Sequence, residues 1–267
     1  MHPTGSSMSS EQARQVAYAE RGYLTAAIDC RYHGRRCEQL ENPREAYQQA
    51  IVRAWRENGR EHPFLLDNVW DILHCLDILS SRDDVGRVGI TGTSLGGMHS
   101  WLAAALDERI YAAAPMIGVQ GFKWAVDNNA WQGRAESIPL VFDAAAADLG
   151  RDKVDTQVVR EVWNRILPGL LDAWDAPFSL PCCAPRPFLI ASGSVDPRCP
   201  LPGVLEAYEL ARGTYLEQLQ AQGLPQEEAA GEVAKRLQLY IEDGVGHKPT
   251  QGMDKAIADF FDQHLRA

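Results

Sequence analysis

The chain has 267 residues, 45% of them hydrophobic and 23% charged, and this length suits one large α/β domain. Its formal net charge of −10 argues against a nucleic-acid partner, because binding to phosphates requires clustered Lys and Arg. No apolar run is long enough to cross a bilayer, so no membrane span is expected.

The N-terminal stretch MHPTGSSMSS has neither the charged region nor the apolar region that directs secretion. The six cysteines are scattered along the chain, so we expect reduced thiols and a cytoplasmic location. Cys182 and Cys183 are adjacent, but they lack the histidine or second Cys-x-x-Cys pair that a zinc site needs. We therefore expect neither a metal nor another cofactor.

Strand-like and helix-like patterns alternate along the chain, as in a parallel α/β sheet. Strands are predicted at residues 23–29, 85–91, 186–192 and 236–242. Two segments carry apolar residues at helical spacing, which predicts amphipathic helices. These residues are Leu65, Val69, Ile72, Leu73 and Leu76 in the first helix and Met253, Ile257, Phe260 and Phe261 in the last.

The alternation stops between residues 121 and 180, where no convincing strand is found. The segment holds four of the seven tryptophans, Trp124, Trp131, Trp163 and Trp174. An insertion between strand ends usually folds over the mouth of the sheet, so 121–180 is predicted to be a helical cap within a single domain, 1–267. Its aromatic side chains are expected mainly to pack, and Trp124 and Trp131 are the candidates for substrate contact.

Residues 92–96 read Gly-Thr-Ser-Leu-Gly and fit the pattern G-x-S-x-G between a predicted strand and a predicted helix. A serine at so sharp a turn has strained backbone angles, and a side chain at Gly92 or Gly96 would clash with the neighbouring chain. The turn would lift Ser94 Oγ above the sheet and direct the Leu95 N–H toward an oxyanion. Ser94 is the predicted nucleophile; an ordinary glycine-rich turn is the alternative.

A nucleophilic serine needs a base to accept its proton and an anion to orient that base. Asp196 and His247 each follow a predicted strand, and the chain order Ser94, Asp196, His247 is that of the α/β hydrolases. Asp243 is the alternative acid, but it follows the same strand as His247 and so lies in the wrong loop.

The other histidines are weaker candidates for the base. His33 follows an earlier strand, but it precedes the serine and has no acid of its own downstream. His99 lies in the helix after Ser94 and is expected to pack there. Ordinary core or surface positions are expected for His62, His74 and His264.

A second oxyanion donor is expected in the loop MHPTGSS at the start of the chain. Pro3 has no N–H, so Thr4 is the better donor. A mobile Ser/Gly-rich terminus is the alternative interpretation of this loop.

The motifs HPTG, AIDCRYHGRR, GTSLGG, GSVDPRCP and GVGHKP together resemble the α/β-hydrolase superfamily, most closely its dienelactone-hydrolase, acetyl-xylan-esterase and prolyl-oligopeptidase-like branch. The resemblance implies an α/β-hydrolase fold, with a mostly parallel central sheet flanked by helices. It also implies that HPTG is the oxyanion loop and GTSLGG the nucleophile turn. Substrate is not implied, because this fold carries esterases, lipases, peptidases and thioesterases.

The N-terminus departs from the superfamily pattern, because the strands that precede the oxyanion loop are missing. The strand leading into HPTG would lie between the strands predicted at 23–29 and 85–91. Without it, backbone groups of both neighbours would stay unpaired. We therefore expect an incomplete version of a longer hydrolase; the alternative is that the two flanking strands pair directly.

The sequence thus predicts a serine hydrolase that cleaves carboxylic esters with a small acyl group through an acyl-enzyme. Ser94 would attack, His247 would transfer the proton and Asp196 would orient the imidazole, while Leu95 and Thr4 would bind the oxyanion. The alternatives are a peptidase of the prolyl-oligopeptidase-like type and a non-catalytic α/β-hydrolase binding module. The expected partner is a small-molecule ester, and no oligomeric state is predicted.

Overall fold

A computed structural model describes residues 1–37, 42–57 and 60–266. The strands are β1 (Val88–Thr93), β2 (Ile110–Met116), β3 (Phe188–Gly193) and β4 (Leu237–Glu242). The helices before β2 are α1 (Gln12–Glu20), α2 (Pro43–Arg56), α3 (Leu66–Ser80) and α4 (Leu95–Leu106). Those between β2 and β3 are α5 (Phe122–Asp127), α6 (Gln132–Ala135), α7 (Pro139–Asp148), α8 (Thr156–Ile166) and α9 (Ala176–Ser179). The last are α10 (Leu201–Ala221), α11 (Gln226–Arg236) and α12 (Gln251–Leu265), and short 3₁₀ turns occupy Met8–Glu11, Gly34–Arg36 and Leu180–Cys183.

The four strands form one parallel sheet in the order β1-β2-β3-β4. Parallel neighbours require crossover connections, and each connection here contains at least one helix. All four strands therefore end at the same edge of the sheet. Ser94 follows β1, Asp196 lies three residues beyond β3, and His247 lies five residues beyond β4, so this edge collects all three.

The strands predicted at 85–91, 186–192 and 236–242 are confirmed as β1, β3 and β4. The sequence did not predict β2, whose residues IYAAAPM are mostly alanine and include a proline. Alanine and proline both have low strand propensity, and β2 forms because it is buried between β1 and β3.

The prediction of a strand at 23–29 is wrong, because this segment pairs with no strand of the described chain. It is separated from β1 by a cavity of about 390 Å³ lined by apolar residues of both segments and by Phe261. The two segments therefore do not pair directly. Met1 lies at one end of the gap, where its ammonium donates to Thr91 O at 2.7 Å and its carbonyl accepts from Thr93 N at 3.1 Å.

Hydrophobic layers cover both faces of the sheet. The four apolar residues predicted for the last helix, Met253, Ile257, Phe260 and Phe261, are buried on one face, against Ala112, Ala114, Leu189 and Ala191. The other face packs against α3, α4 and α10 and the helices of the insertion. None of the described helices is both long and apolar enough to span a membrane.

The segment 121–180 is helical, and its largest aromatic cluster is structural. Trp163 is 1% exposed, and its ring lies 5.1 to 5.3 Å from the rings of Phe64, Phe122 and Phe142. Helices α7 and α8 pack against α2, so the insertion shares its core with the rest of the chain. Packing therefore accounts for the whole Trp163 side chain.

Candidate active site

Ser94 stands at a strained turn between β1 and α4. Its φ of 55° and ψ of −109° lie in a region that side chains other than glycine rarely adopt. A Cβ atom added to Gly92 would lie 2.5 Å from the Gly96 backbone, and one added to Gly96 would lie 2.2 Å from Met1 O. The chain therefore approaches the turn too closely for any larger residue at either position, as the sequence predicted.

The structure brings Ser94, His247 and Asp196 into one hydrogen-bonded series. Ser94 Oγ lies 2.7 Å from His247 Nε2. On the other side of the ring, His247 Nδ1 lies 2.8 Å from Asp196 Oδ2 and 3.0 Å from Asp196 Oδ1. With the proton of neutral His247 on Nδ1, the imidazole donates to the carboxylate and Nε2 accepts from the serine hydroxyl.

The Asp196 carboxylate is held by backbone as well as by the histidine. Oδ1 accepts from the amides of Arg198 at 2.8 Å and Cys199 at 3.2 Å. Burial by itself raises the pKa of this carboxyl, but the hydrogen bond and charge of His247 and the two amides outweigh it and lower the pKa. Asp196 is therefore an anion whenever His247 is competent as a base.

Burial also controls His247, since it lowers the pKa of the imidazole more than the hydrogen bond with Asp196 raises it. The positive charges of Arg134 and Arg198 lower this pKa further. His247 is consequently neutral at pH 7, which is the form that accepts a proton from a serine hydroxyl.

The alternative acid and bases lie elsewhere. Asp243 is in an exposed contact, where its Oδ1 accepts from Ser194 Oγ at 3.0 Å. His33 Nδ1 donates to Arg31 O at 2.9 Å, and His99 Nδ1 lies 3.7 Å from Cys30 Sγ. Both of these histidines are fully buried, as the sequence predicted for His99.

The N-terminal loop lies against the nucleophile turn. The carbonyl groups of Met1 and His2 are the nearest neighbours of a Cβ atom added to Gly96. No hydrogen-bond acceptor within the described chain takes the amide of Leu95, the first residue of α4, or that of the half-buried Thr4. Both amides are thus available to an oxyanion, although the role of Thr4 and Leu95 stays a prediction.

His2 is a residue that the sequence analysis missed. It is fully buried, its Nε2 accepts from Cys30 N at 2.9 Å, and its Nδ1 donates to Pro3 O at 2.9 Å. These two bonds fix the loop that carries Thr4. A histidine directly before the proline of the predicted oxyanion loop was the available signal.

Trp124 and Trp131 are both half-buried in the insertion. Trp124 packs against Gly121 and Gly203, and Trp131 Nε1 donates to Thr156 Oγ1 at 3.2 Å. These contacts bury only part of each side chain. The role of the two tryptophans in substrate contact stays a prediction.

Asp196, Cys199 and His247 have ligand atoms within 4.8 Å of one another, a spacing that suits a metal ion. The Cys199 thiol, however, donates to Ile117 O at 3.4 Å, and burial raises its pKa well above the usual range. A metal ligand must be a thiolate. Since the other two residues already bind each other, this group fits a proton relay better than a metal centre.

The parallel sheet, its covering helices and the serine at the β1–α4 turn are those of the α/β-hydrolase fold, which confirms the fold and the resemblance stated from the sequence. Residues 4–125 match the acetyl xylan esterase (AXE1) family. The chain thus has the α/β-hydrolase fold and is similar over these residues to the acetyl xylan esterases, and this match supports an ester hydrolase.

Solved structures show the same fold across the chain. Acetyl Xylan Esterase 1 from Thermoanaerobacterium sp. matches with a TM-score of 0.61 at 17% identity, over 98% of this chain and 72% of that one. The acetyl xylan esterase from Paenibacillus sp. R4 matches with a TM-score of 0.59 at 17% identity and the same coverage. Among curated proteins, Putative hydrolase YtaP from Bacillus subtilis is 48% identical over 44 residues, which are 16% of this chain and 15% of that protein.

Proposed function

We propose that the protein is a serine hydrolase that cleaves carboxylic esters with a small acyl group through a Ser94–His247–Asp196 triad. The observation that carries the proposal is the 2.7 Å contact between Ser94 Oγ and a histidine nitrogen whose ring is oriented by a buried carboxylate. The match to the acetyl xylan esterase family supports the small acyl group.

In this mechanism His247 Nε2 takes the proton of Ser94 as Oγ attacks the ester carbonyl. The amides of Leu95 and Thr4 stabilise the oxyanion of the tetrahedral intermediate. His247 then returns the proton to the leaving alcohol, and an acyl-enzyme forms on Ser94. Water activated by His247 attacks the acyl-enzyme and releases the carboxylic acid, so no metal or organic cofactor is required.

Two alternatives use the same fold. A peptidase would bind the amino group of its substrate with an acidic or polar clamp from the insertion. A binding module would need neither a strained serine nor an oriented histidine. The backbone strain at Ser94 favours catalysis over plain binding, because such strain is stored where a side chain must be presented to a substrate.

A cap role for 121–180, with Trp124 and Trp131 selecting the substrate, belongs to the same proposal. So does a cytoplasmic location, which the scattered cysteines of the sequence support.

Hydrolysis of p-nitrophenyl esters from acetate to octanoate, compared with aminoacyl-naphthylamides, tests the proposal. We expect the highest kcat/KM for the short esters and no turnover by Ser94→Ala. Faster cleavage of the amides would favour the peptidase, and turnover of neither series would favour the binding module.

A further inference from the structure

Arg134, on the short helix α6, is an arginine buried directly behind the loop that carries Asp196. Arg134 is 4% exposed. Nε donates to Gln120 Oε1 at 3.2 Å, and Nη2 contacts Arg198 O at 3.3 Å and Cys199 Sγ at 3.6 Å. All of these partners are uncharged groups, and Nη1 makes no hydrogen bond within the described chain. The guanidinium therefore has no ionic partner among these contacts, and its Nη1 edge is free to donate.

Two more arginines lie near Arg134. Arg198 is half-buried and follows Asp196 by two residues, whereas Arg44 is exposed on α2. Burial and the charges of Arg134 and Arg44 lower the pKa of the Arg198 guanidinium, so the three charges interact. Within residues 1–37, 42–57 and 60–266, no carboxylate is within 4.0 Å of any of the three.

This cluster lies next to the proposed triad. Arg134 and Arg198 act electrostatically on His247. Arg44 Cβ lies 3.3 Å from the position of a Cβ on Gly5, next to the predicted oxyanion donor Thr4, and Arg44 Nη2 donates to Ser137 O at 3.3 Å. Positive charge therefore extends from the acid loop to the N-terminal loop, in a chain whose net charge is −10.

Asp196 is the carboxylate of the triad that acts on Arg198, and its oxygens are already occupied by His247 and two backbone amides. A buried cation without an anion is unfavourable, because burial removes its hydration without supplying an opposite charge. An anion bound beside these arginines would supply that charge, and guanidinium groups bind carboxylates with paired, charge-assisted hydrogen bonds.

We propose that Arg134 and Arg198, with Arg44 at the rim, form a subsite for a carboxylate carried by the ester substrate. The inference deepens the proposed function and rests on it. The substrate class is then an ester whose acyl part or alcohol part bears a carboxylate close to the scissile bond.

Two pairs of esters, each differing only by methylation of the carboxylate, test the subsite. The first pair is 4-methylumbelliferyl hemisuccinate and its methyl ester, with the charge on the acyl part. The second pair is 3-acetoxybenzoate and its methyl ester, with the charge on the alcohol part. In at least one pair we expect kcat/KM for the anion to exceed that for the neutral ester by about tenfold or more. The pair that responds identifies the side of the substrate.

Arg198→Gln and Arg134→Gln should each reduce this anion-to-neutral ratio about tenfold, while Arg212→Gln, an exposed arginine on α10 paired with Glu209, leaves it unchanged. Arg198 is half-buried, so its variant remains informative if Arg134→Gln does not fold. Equal rates within both pairs for the wild-type protein, or an equal loss for both members in the variants, would overturn the subsite.

A binding measurement separates failure of the subsite from failure of the proposed function. Succinate and benzoate are titrated calorimetrically into Ser94→Ala and into Ser94→Ala combined with Arg198→Gln. Binding by the first variant that is lost in the second supports the subsite even if no ester is hydrolysed. Absence of binding to Ser94→Ala, or equal binding by both variants, overturns the subsite and leaves the hydrolase proposal standing.

Discussion

His247 Nδ1 lies 2.8 Å from Asp196 Oδ2, and the Asp196 side chain is completely excluded from solvent. The two residues come from loops after β3 and β4, which are neighbours in the sheet. In the parallel register of β3 and β4, Phe188 pairs with Leu237 and Gly193 pairs with Glu242. Both strands therefore end at the same level, and the loops that follow them lie side by side. The orientation of the imidazole is thus a consequence of strand register.

Replacing Asp196 by asparagine should lower kcat by about 10⁴-fold, the size found when the same change was made in another Ser-His-Asp triad. The amide keeps the shape of the side chain but loses the charge that holds the Nδ1–H tautomer. Asp243→Asn is the matched control, because Asp243 accepts only from Ser194 in an exposed contact. Steady-state kinetics check both variants, and a larger loss for Asp243→Asn would show that the acid is misassigned.

The pH dependence of kcat/KM follows from the lowered pKa of His247. The reaction requires the neutral imidazole, so the rate rises with pH and reaches half its plateau below about 6.5, the ordinary value for histidine. Asp196 raises this pKa, and the residual activity of Asp196→Asn should therefore have its half-maximum at still lower pH. A profile centred above 6.5 would contradict the role assigned to His247.

Two other buried histidines link stability to pH. Burial lowers the pKa of His99 to about 3 and that of His33 to about 4, so both are neutral in the folded chain. In the unfolded chain both bind a proton near pH 6.5, so stability is present above this pH and is lost as the pH falls toward the folded values. From pH 6.5 to 5 each histidine should lower the free energy of unfolding by about 1.6 kcal/mol.

Urea denaturation at several pH values measures this slope. His99→Leu should lower by about one the number of protons that the chain takes up on unfolding, because leucine binds none. In the wild-type protein the buried Nε2 of His99 has no hydrogen-bond partner among the described residues. An unchanged slope in this variant would mean that His99 is protonated in the folded chain.

Much of the site could be predicted from the sequence because its constraints are local. The pattern Gly92-x-Ser94-x-Gly96 reports the close approach of the chain at the β1–α4 turn, and Asp196 and His247 each follow a strand with a clear apolar pattern. By contrast, β2 is mostly alanine, and residues 23–29 have the composition of a strand without a partner on β1. Both outcomes are decided by tertiary contacts.

The arginine cluster was hidden for the same reason. Arg134 follows Arg44 by 90 residues and precedes Arg198 by 64, and the three carry no shared pattern. Arg134 approaches Arg198 because α6 packs against the loop after β3, where a Cβ on Gly133 would lie 2.5 Å from Pro197 O. Only the folded arrangement reveals that no carboxylate of residues 1–37, 42–57 and 60–266 pairs with them.

The close approach at the nucleophile turn gives a direct test of local geometry. Gly96→Ala should remove ester hydrolysis and destabilise the fold by about 1–3 kcal/mol, because the added methyl group would overlap Met1 O. Gly231→Ala is the control, since this glycine lies on α11 with no neighbour within 4 Å of its added Cβ. It should be neutral or stabilising by about 0.5–1 kcal/mol. Thermal unfolding that is equal in the two variants would contradict the packing described for the turn.

The central claim is that His247 activates Ser94 as a nucleophile, and covalent labelling with a fluorophosphonate probe tests it most directly. Mass spectrometry of the labelled wild-type protein should place one adduct on the peptide that contains Ser94. Ser94→Ala and His247→Ala should each abolish rapid labelling, and the double variant should lose little more than either single one, because the two residues act as a unit. Rapid labelling that survives Ser94→Ala would place the nucleophile elsewhere and contradict the account.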